Sequence, residues 1–496
     1  MIQFFSMHHW LRVLSGSRRA VAYSLCLGLL WLPMATVLAN TVDETSRQTK
    51  DSKTAEAAED RLDTSDRLLG DMGGFRTWLY QYGITLDIQS EDEIWGNYRG
   101  GTRRTTSYNG VGTVEIGADL SKLFDLEGGL FKLSWLNIRG RSPTADRLAD
   151  YNPVSGHEAY TSNRLFELWY QQSFLNGALD IKLGQQDLDN EFLISDYASL
   201  FLNANFGWPV APSANLYSGG PSWPLASLGI RFRYRSSERM TLMFAAANDN
   251  PTGHGFYNEH DPSNQSVHPH GSNFNLNTGA LLISELQYTT DWKPAWAGME
   301  SASNGLPGIL RVGGMYDTAT FYDQRYDKAG RSLAAPDSSE NPRQHQGNWI
   351  FYGIADQMLW QAAPGSPCSI GMFGRVTSNR SDRNVVDFAI DTGLTLNAPF
   401  AGRNDDVFGI GWGMAHTSNQ ARKADRDMRR YSDGHYPVRG NEYRVEITYK
   451  AQITHSLDLQ LDWQHIENPG GGVLNNETGR RMRDESLFGL HSTLTF

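Results

Sequence analysis

Cysteine is nearly absent. The 496 residues hold two, Cys26 and Cys368, and Cys26 falls in a segment read below as a cleaved leader. One remaining thiol excludes an internal disulfide and any Cys-x-x-Cys metal site. Long hydrophobic runs are also missing. The single apolar stretch, Val21 to Leu32, is too short to cross a bilayer as a helix, and the mean hydropathy of -0.47 is that of a polar chain. Together these exclude a helical inner-membrane protein. Positive charge is in deficit, 44 Lys and Arg against 55 Asp and Glu, which argues against a nucleic-acid partner. Neither Gly-x-Ser-x-Gly nor His-Glu-x-x-His occurs, so the common hydrolase and zinc-protease signatures give an enzyme no support.

The first 39 residues read as a secretory signal. Arg12, Arg18 and Arg19 precede the apolar run, and Val37-Leu38-Ala39 offers small residues for cleavage before Asn40. Leu25 is too large for lipoprotein processing at Cys26. Removing residues 1–39 takes away three Arg and no acid, moving the net charge from -11 to -14. Residues 40–68 are polar and are expected to form a periplasmic linker. Residues 69–83 are expected to carry a short helix ended by Gly83.

From Ile84 to the end, at 84–496, the pattern has a period of two. Val114, Ile116, Ala118 and Leu120 oppose Glu115, Gly117 and Asp119. Leu228, Ile230, Phe232 and Tyr234 oppose Arg231, Arg233 and Arg235. In the last segment Phe488, Leu490, Leu494 and Phe496 oppose Gly489, His491, Thr493 and Thr495. A strand with no tail after it leaves an open edge unless both sides are paired, and in hydrocarbon the sheet must close. Sixteen such segments are counted, an even number as a closed antiparallel barrel with both termini on one side requires. Short connections (Phe174–Gly177, Ser236–Arg239, His455-Ser456) alternate with long ones (189–226, 248–279, 317–348). Aromatics concentrate near strand ends: Trp95, Tyr98, Tyr170, Phe174, Tyr234, Tyr288, Trp292, Trp360 and Tyr449. The expected fold is all-β: a transmembrane antiparallel β-barrel of about 16 strands, with long extracellular loops and short periplasmic turns. A soluble sandwich needs two cores, and no linker divides the chain into two.

Several segments resemble the carbohydrate-selective porins of the OprB family. Gly70-Asp71-Met72-Gly73-Gly74-Phe75-Arg76 is similar to that family's opening, with Met72 in place of Trp. Leu165-Phe166-Glu167-Leu168-Trp169 and the ordered block from Leu183-Gly184-Gln185 through Glu191–Ala198, Phe206–Pro209, Pro212–Leu216 and Ser218–Leu225 are similar to its most specific stretches. Ile466–Gly471 is similar near the C terminus. The resemblance implies a porin of the Gram-negative outer membrane, bathed in lipid, that passes sugars, glucose among them, by diffusion. Ion transport accompanies such a pore, porins commonly form trimers, and no catalyst or cofactor is needed. A general, non-selective porin is the alternative, and a barrel enzyme a more distant one.

A sixteen-stranded barrel leaves an aqueous lumen unless loops narrow it. Alternation places Arg231, Arg233 and Arg235, Lys132 and Lys182, and Glu115, Asp119, Glu167, Glu446, Asp458 and Asp462 on the lumen face. Arg139 and Arg141 end the third strand, near a constriction where acids on an inward loop would meet them. The loop from Asp187 to Ala226 is the expected constriction, carrying Glu191, Asp196, Trp208 and Trp223, with Pro209, Pro212, Pro221 and Pro224 to keep it compact. Charged groups of this kind bond sugar hydroxyls, and Trp rings stack on pyranose faces. The candidate pathway is therefore Arg139, Arg141, Glu167, Glu191, Asp196, Trp208, Trp223, Arg231 and Arg233. Weaker signals are the acidic run Asp187–Glu191, which lacks the glycine and length of an EF-hand, four His (254, 260, 268, 270) in one loop, and Gly409, Gly411 and Gly413, whose single-face spacing suits a lumen wall rather than a phosphate loop. No metal or cofactor is expected.

Overall fold

The computed structural model describes residues 62–253, 268–293, 305–432, 434–475 and 478–496. The expected signal peptide, residues 40–61 of the linker, and His254 and His260 lie outside the described residues. The strands β1 (Ile84–Arg99), β2 (Thr105–Asp119), β3 (Gly129–Gly140), β4 (Ser162–Phe174), β5 (Leu179–Gln186), β6 (Ser227–Arg235), β7 (Met240–Asn248) and β8 (Ala280–Trp292) form one half of the sheet. The other half is β9 (Leu306–Asp327), β10 (Pro342–Gln361), β11 (Ser369–Asn379), β12 (Val386–Asn397), β13 (Val407–Thr417), β14 (Asn441–Thr454), β15 (Leu457–Glu467) and β16 (Glu485–Thr495). Each pairs antiparallel with its neighbours in sequence, and β1 pairs with β16 to close a sixteen-stranded barrel.

The two-residue period decides what each wall face meets. Ile94, Leu183, Val312, Phe351, Leu461 and Phe488 stand exposed on the outside, while Gln89, Glu93, Glu285, Arg311, Glu446 and His491 are buried inside. Apolar out and polar in is the arrangement a lipid-immersed barrel requires. Among the described residues no helix is long and apolar enough to cross a membrane, so any crossing is made by strands.

The seam between β1 and β16 is closed from the short-turn end by the N-terminal segment. Expected over 69–83, the helix is α1, Phe75–Tyr80, preceded by a single 3-10 turn at Met72–Gly74. Arg76 is buried and donates to three carbonyls: Leu86 O at 3.1 Å, Gly70 O at 2.6 Å and Phe496 O at 2.5 Å. Leu68 N donates to Thr495 O at 2.9 Å, so the last linker residues dock on the barrel edge rather than hang free.

Other expectations are corrected. Residues 318–327 and 342–348, read as loop, are strand: β9 and β10 are 22 and 20 residues long and rise beyond their neighbours. Their polar faces are satisfied locally, as where His345 meets Asp323 at 2.8 Å, and bulges on β10 mask the alternation. Trp95 is not at an outer girdle. It points inward, buried, and donates Nε1 to Glu93 at 2.8 Å. Asp119 is not a lumen charge, since it caps α2 (Leu120–Phe124) by accepting from Ser121 N at 2.9 Å. Two further short helices, α3 (Pro143–Arg147) and α4 (Val210–Asn215), lie in the β3–β4 and β5–β6 loops. An unanticipated helix, α5 (Asn419–Tyr431), sits in the β13–β14 loop, capped by Ser418 and tied to β9 by the Arg325–Asp427 ion pair at 2.7 Å.

Candidate functional site: a loop folded into the barrel

The inner wall breaks the polar-lumen rule over one sector. Met243, Ala245, Ala247, Leu281, Ile283, Met315, Ile350 and Ile354, on β7 to β10, all point inward and are buried. What buries them is the β5–β6 loop, residues 187–226. Its Leu188, Phe192, Leu193, Trp208, Ala211 and Leu216 join those wall residues in a single apolar cluster. A second cluster packs Ala198, Phe201 and Phe206 on Phe373 of β11. The glycine face of β13 makes room for it. A Cβ on Gly411 would lie 2.8 Å from the Phe206 ring and 3.0 Å from the Phe201 ring. Hydrophobic burial inside a water-filled tube thus draws the loop inward.

Charged wall residues then fix its backbone. Arg375 of β11, fully buried, donates to Leu193 O at 3.2 Å, to Gly207 O at 2.8 Å and to Asn205 O, and pairs with Asp391 at 3.3 Å. Glu446 accepts from Leu202 N at 2.6 Å and Asn203 N at 3.1 Å. Asp356 accepts from Ser195 at 2.5 Å and Asp196 N at 3.1 Å. Glu285 accepts from Leu193 N at 3.0 Å. Peptide groups that would otherwise face the lumen unpaired find carboxyl and guanidinium partners on the wall.

The loop fills one side of the barrel. On the other side it leaves a cavity of about 990 Å³, bounded by the loop, the β3–β4 loop and the wall of β1 and β12 to β16. Its polar lining includes Glu91, His157, Asp189, Asp196, Lys450 and His491, and its aromatic lining Tyr197, Trp208 and Trp223.

The expected pathway residues divide on this geometry. Asp196, Trp208 and Trp223 line the cavity. Asp196 is 61% exposed although it pairs with Arg311 at 3.2 Å. Trp223 meets His157 edge-on at 5.7 Å. Trp208 is mostly buried, donating Nε1 to Gly219 O at 2.7 Å. Glu167 and Arg231 point inward but lie behind the loop, and the loop's own Glu191 reaches back to the wall. Glu191 is held by Lys182 and Arg231, which keep its carboxyl down at about 2 although burial opposes this. Glu167 accepts from Trp169 Nε1 at 3.1 Å and pairs with Lys132 at 3.2 Å. Arg233 pairs with Asp180 at 2.6 Å, away from the cavity.

Arg139 and Arg141 do not reach the lumen. Arg139 lies opposite Gly110, whose neighbour across β1 is Asp92. That face is the outer one, shared with exposed Ile94. Arg139 crosses over Gly110 to Asp92 at 2.9 Å and Ser90 at 2.9 Å. A Cβ at 110 would fall 2.5 Å from the Asp92 carboxylate, so a side chain there would displace the Asp92–Arg139 pair. Arg141 stands exposed at the rim, its backbone bonded to Tyr108 O at 2.8 Å. Counting parity from the apolar residues of β3 alone misses this, because Leu136 and Ile138 are the inward ones.

The acidic run Asp187–Glu191 does not converge. Asp187 and Asp189 lie side by side, and burial and then the neighbouring charge raise Asp187 well above the usual carboxylate range. Glu191 turns away to its own cations. His270 spends its imidazole on Asn163 O at 3.2 Å.

Sequence reasoning missed Glu91, His157, Lys450 and His491. Glu91 and His491 carried a usable signal, since each falls on the inward parity of its strand. His157 carried none, because only the fold of the β3–β4 loop brings it to β1. There Glu93, buried, accepts at one oxygen from Ser155 (2.9 Å) and meets Nδ1 of His157 (3.2 Å) and of His491 (3.0 Å). Burial works against charge on His157, but Glu91 and Glu93 outweigh it and push its pKa up to about 9.

Residues 103–496 match the family described as "Carbohydrate-selective porin, OprB family". The chain is 27% identical over 441 residues to Porin B of Pseudomonas aeruginosa, covering 84% of this chain and 90% of that one. It is 24% identical to the putative porin QuiX of Acinetobacter baylyi, covering 82% and 89%. In fold it is similar to the high-pH structure of Pseudomonas putida OprB, with TM-score 0.72 and 23% identity, covering 88% of this chain and 99% of that one. With a closed barrel narrowed from within and this match over most of its length, the chain belongs to the OprB family of carbohydrate-selective porins, channels of the outer membrane through which sugars pass.

Proposed function

We propose that sugars cross between the inward loop and the wall of β1, β14 and β16, and that selectivity resides there. One observation carries this reading: the inward loop packs tightly against half of the barrel, and the remaining cavity carries both hydroxyl partners and flat aromatic faces. Glu91, Asp189, Asn190, Asp196 and Lys450 supply acceptors and donors for sugar hydroxyls, and Tyr197 and Trp223 supply surfaces for pyranose C–H faces. Binding at such partly solvated groups is weak enough for release, as passage requires. A narrowed lumen favours selective over general diffusion. The protein acts as a passive channel and not as a catalyst, and residues 1–39 are removed on export.

The test is conductance of the refolded protein in planar bilayers, titrated with glucose, a disaccharide and an organic acid. Glucose is expected to block ion current at lower concentration than the acid, and Trp223→Ala to raise the half-blocking concentration severalfold. Equal block by all three solutes assigns general diffusion instead. If glucose block is unchanged in both Trp223→Ala and Asp196→Asn, the pathway lies elsewhere in the lumen.

A further inference from the structure

The pore wall holds a cluster that sugar passage does not require. Glu91, His157 and His491 each offer one donor atom, and these atoms all lie within 4.8 Å of one another. All three line the cavity. The two imidazole rings stack at 5.4 Å, inclined by 17°. Their Nδ1 atoms are engaged by the same Glu93 oxygen, which leaves the Nε2 atoms as the other ligand positions. His157 Nε2 already stands 3.4 Å from a Glu91 oxygen. His491 Nε2 is occupied only by the Thr493 hydroxyl, at 2.9 Å.

We propose that Glu91, His157 and His491 form a binding site for a transition-metal dication such as Zn²⁺, with Glu93 as the residue that positions both imidazoles. The donor set is chemically apt. Imidazole with a carboxylate suits Zn²⁺ and its neighbours in the series, whereas Mg²⁺ and Ca²⁺ take oxygen ligands. Tetrahedral bonds of about 2.0–2.1 Å place ligand atoms roughly 3.3 Å apart. The His157–Glu91 separation meets that spacing, and His491, whose donor atom lies within 4.8 Å of the other two, has to turn off Thr493 to supply the third ligand. A carboxylate holding the far nitrogen of each His is the arrangement that fixes ring orientation in zinc sites and raises ligand basicity. Glu93 is itself anchored by Trp95 Nε1 and Asn109 Nδ2, both at 2.8 Å. A bound dication supplies the positive charge that balances Glu91 and Glu93, which protonated imidazole supplies without it. With three protein ligands the fourth position opens on the lumen, where the ion and its water narrow the pore.

The test uses the full refolded chain and zinc chloride. Calorimetry is expected to find one site tighter than about 10 µM, and cobalt substitution to give the intense visible absorption of a tetrahedral ion. In bilayers zinc lowers conductance and a chelator restores it. His157→Gln and His491→Asn are expected to weaken binding at least a hundredfold, and Glu93→Gln by about 10–100-fold, while His270→Gln leaves it as in the wild type. His491 stands beside the closing seam, where a substitution threatens insertion. His157, on a loop, carries the test if that variant fails to insert. Millimolar affinity, binding that survives His157→Gln, or a conductance indifferent to zinc overturns the proposal. Because these readouts need no sugar, they stand or fall separately from the assigned pathway.

Discussion

Arg375→Met removes one guanidinium that holds both an acid of the wall and three carbonyls of the inward loop. The side chain it leaves is of similar length and apolar, so packing changes little. The electrostatic loss is large. Asp391 stays buried with the Asn205 amide bonded to it and only Arg444 of β14 left as a nearby cation, and breaking a buried pair by deleting one partner costs about 3–5 kcal/mol. Charge-assisted bonds to carbonyls contribute about 1.5–3 kcal/mol each where no water replaces them, but here the lumen is near, so the lower sum is the better figure. A shift of about 3–5 kcal/mol moves the docked-to-released ratio of residues 193–207 by roughly two to three and a half powers of ten. The apolar cluster and the Glu446 and Asp356 contacts still hold the rest of the loop. The variant is therefore expected to insert, to migrate as a folded barrel in unheated gels, and to conduct with a larger and noisier unitary current than wild type. Its glucose half-block concentration is expected to rise at least tenfold, and Arg375→Lys to fall between the two. A folded Arg375→Met channel with wild-type conductance and glucose block refutes the claim that this side chain anchors the constriction.

Two other predictions follow from where charges lie. Arg139→Ala removes the only cation paired with Asp92 among the described residues, leaving it the Ser90 and Tyr108 hydroxyls, and is expected to lower barrel stability by at most about 1 kcal/mol in urea titrations in vesicles, with sugar block unchanged; altered block returns Arg139 to the pathway. Glu191 is held at about 2 against its ordinary 4.5, so its contribution, about 3 kcal/mol, is present above pH 4.5 and disappears as pH falls towards 2. Conductance noise is expected to rise across that window in wild type and to lose this step in Glu191→Gln, and a step that persists in the variant belongs to another group.

A lumen contradicts itself here in a useful way. Apolar residues such as Met243, Ile283 and Ile350 on an inner wall destabilise an empty pore and stabilise an occupied one, so the wall and the loop specify each other. The same logic applies to Gly409 and Gly411, whose missing side chains are the space that Leu200, Phe201 and Phe206 occupy.

What could be read from residues alone was whatever depends on local period and chain order. Alternation placed all sixteen strands, most within a few residues, because a pleated strand in lipid must expose every second side chain to hydrocarbon. The Pro-studded stretch 187–226 stood out as a compact loop expected to fold inward, as it does, because compact turns are encoded locally. Three kinds of fact waited for the tertiary structure. Which face of β3 looks inward follows from pairing across the sheet, so Arg139 was assigned to the wrong side. Which lumen charges are spent on one another, as Glu191 is on Lys182 and Arg231, depends on a register that brings distant segments within hydrogen-bond reach. And the meeting of Glu91, Glu93, His157 and His491 joins residues up to 400 positions apart, which only closure of the barrel on itself makes neighbours.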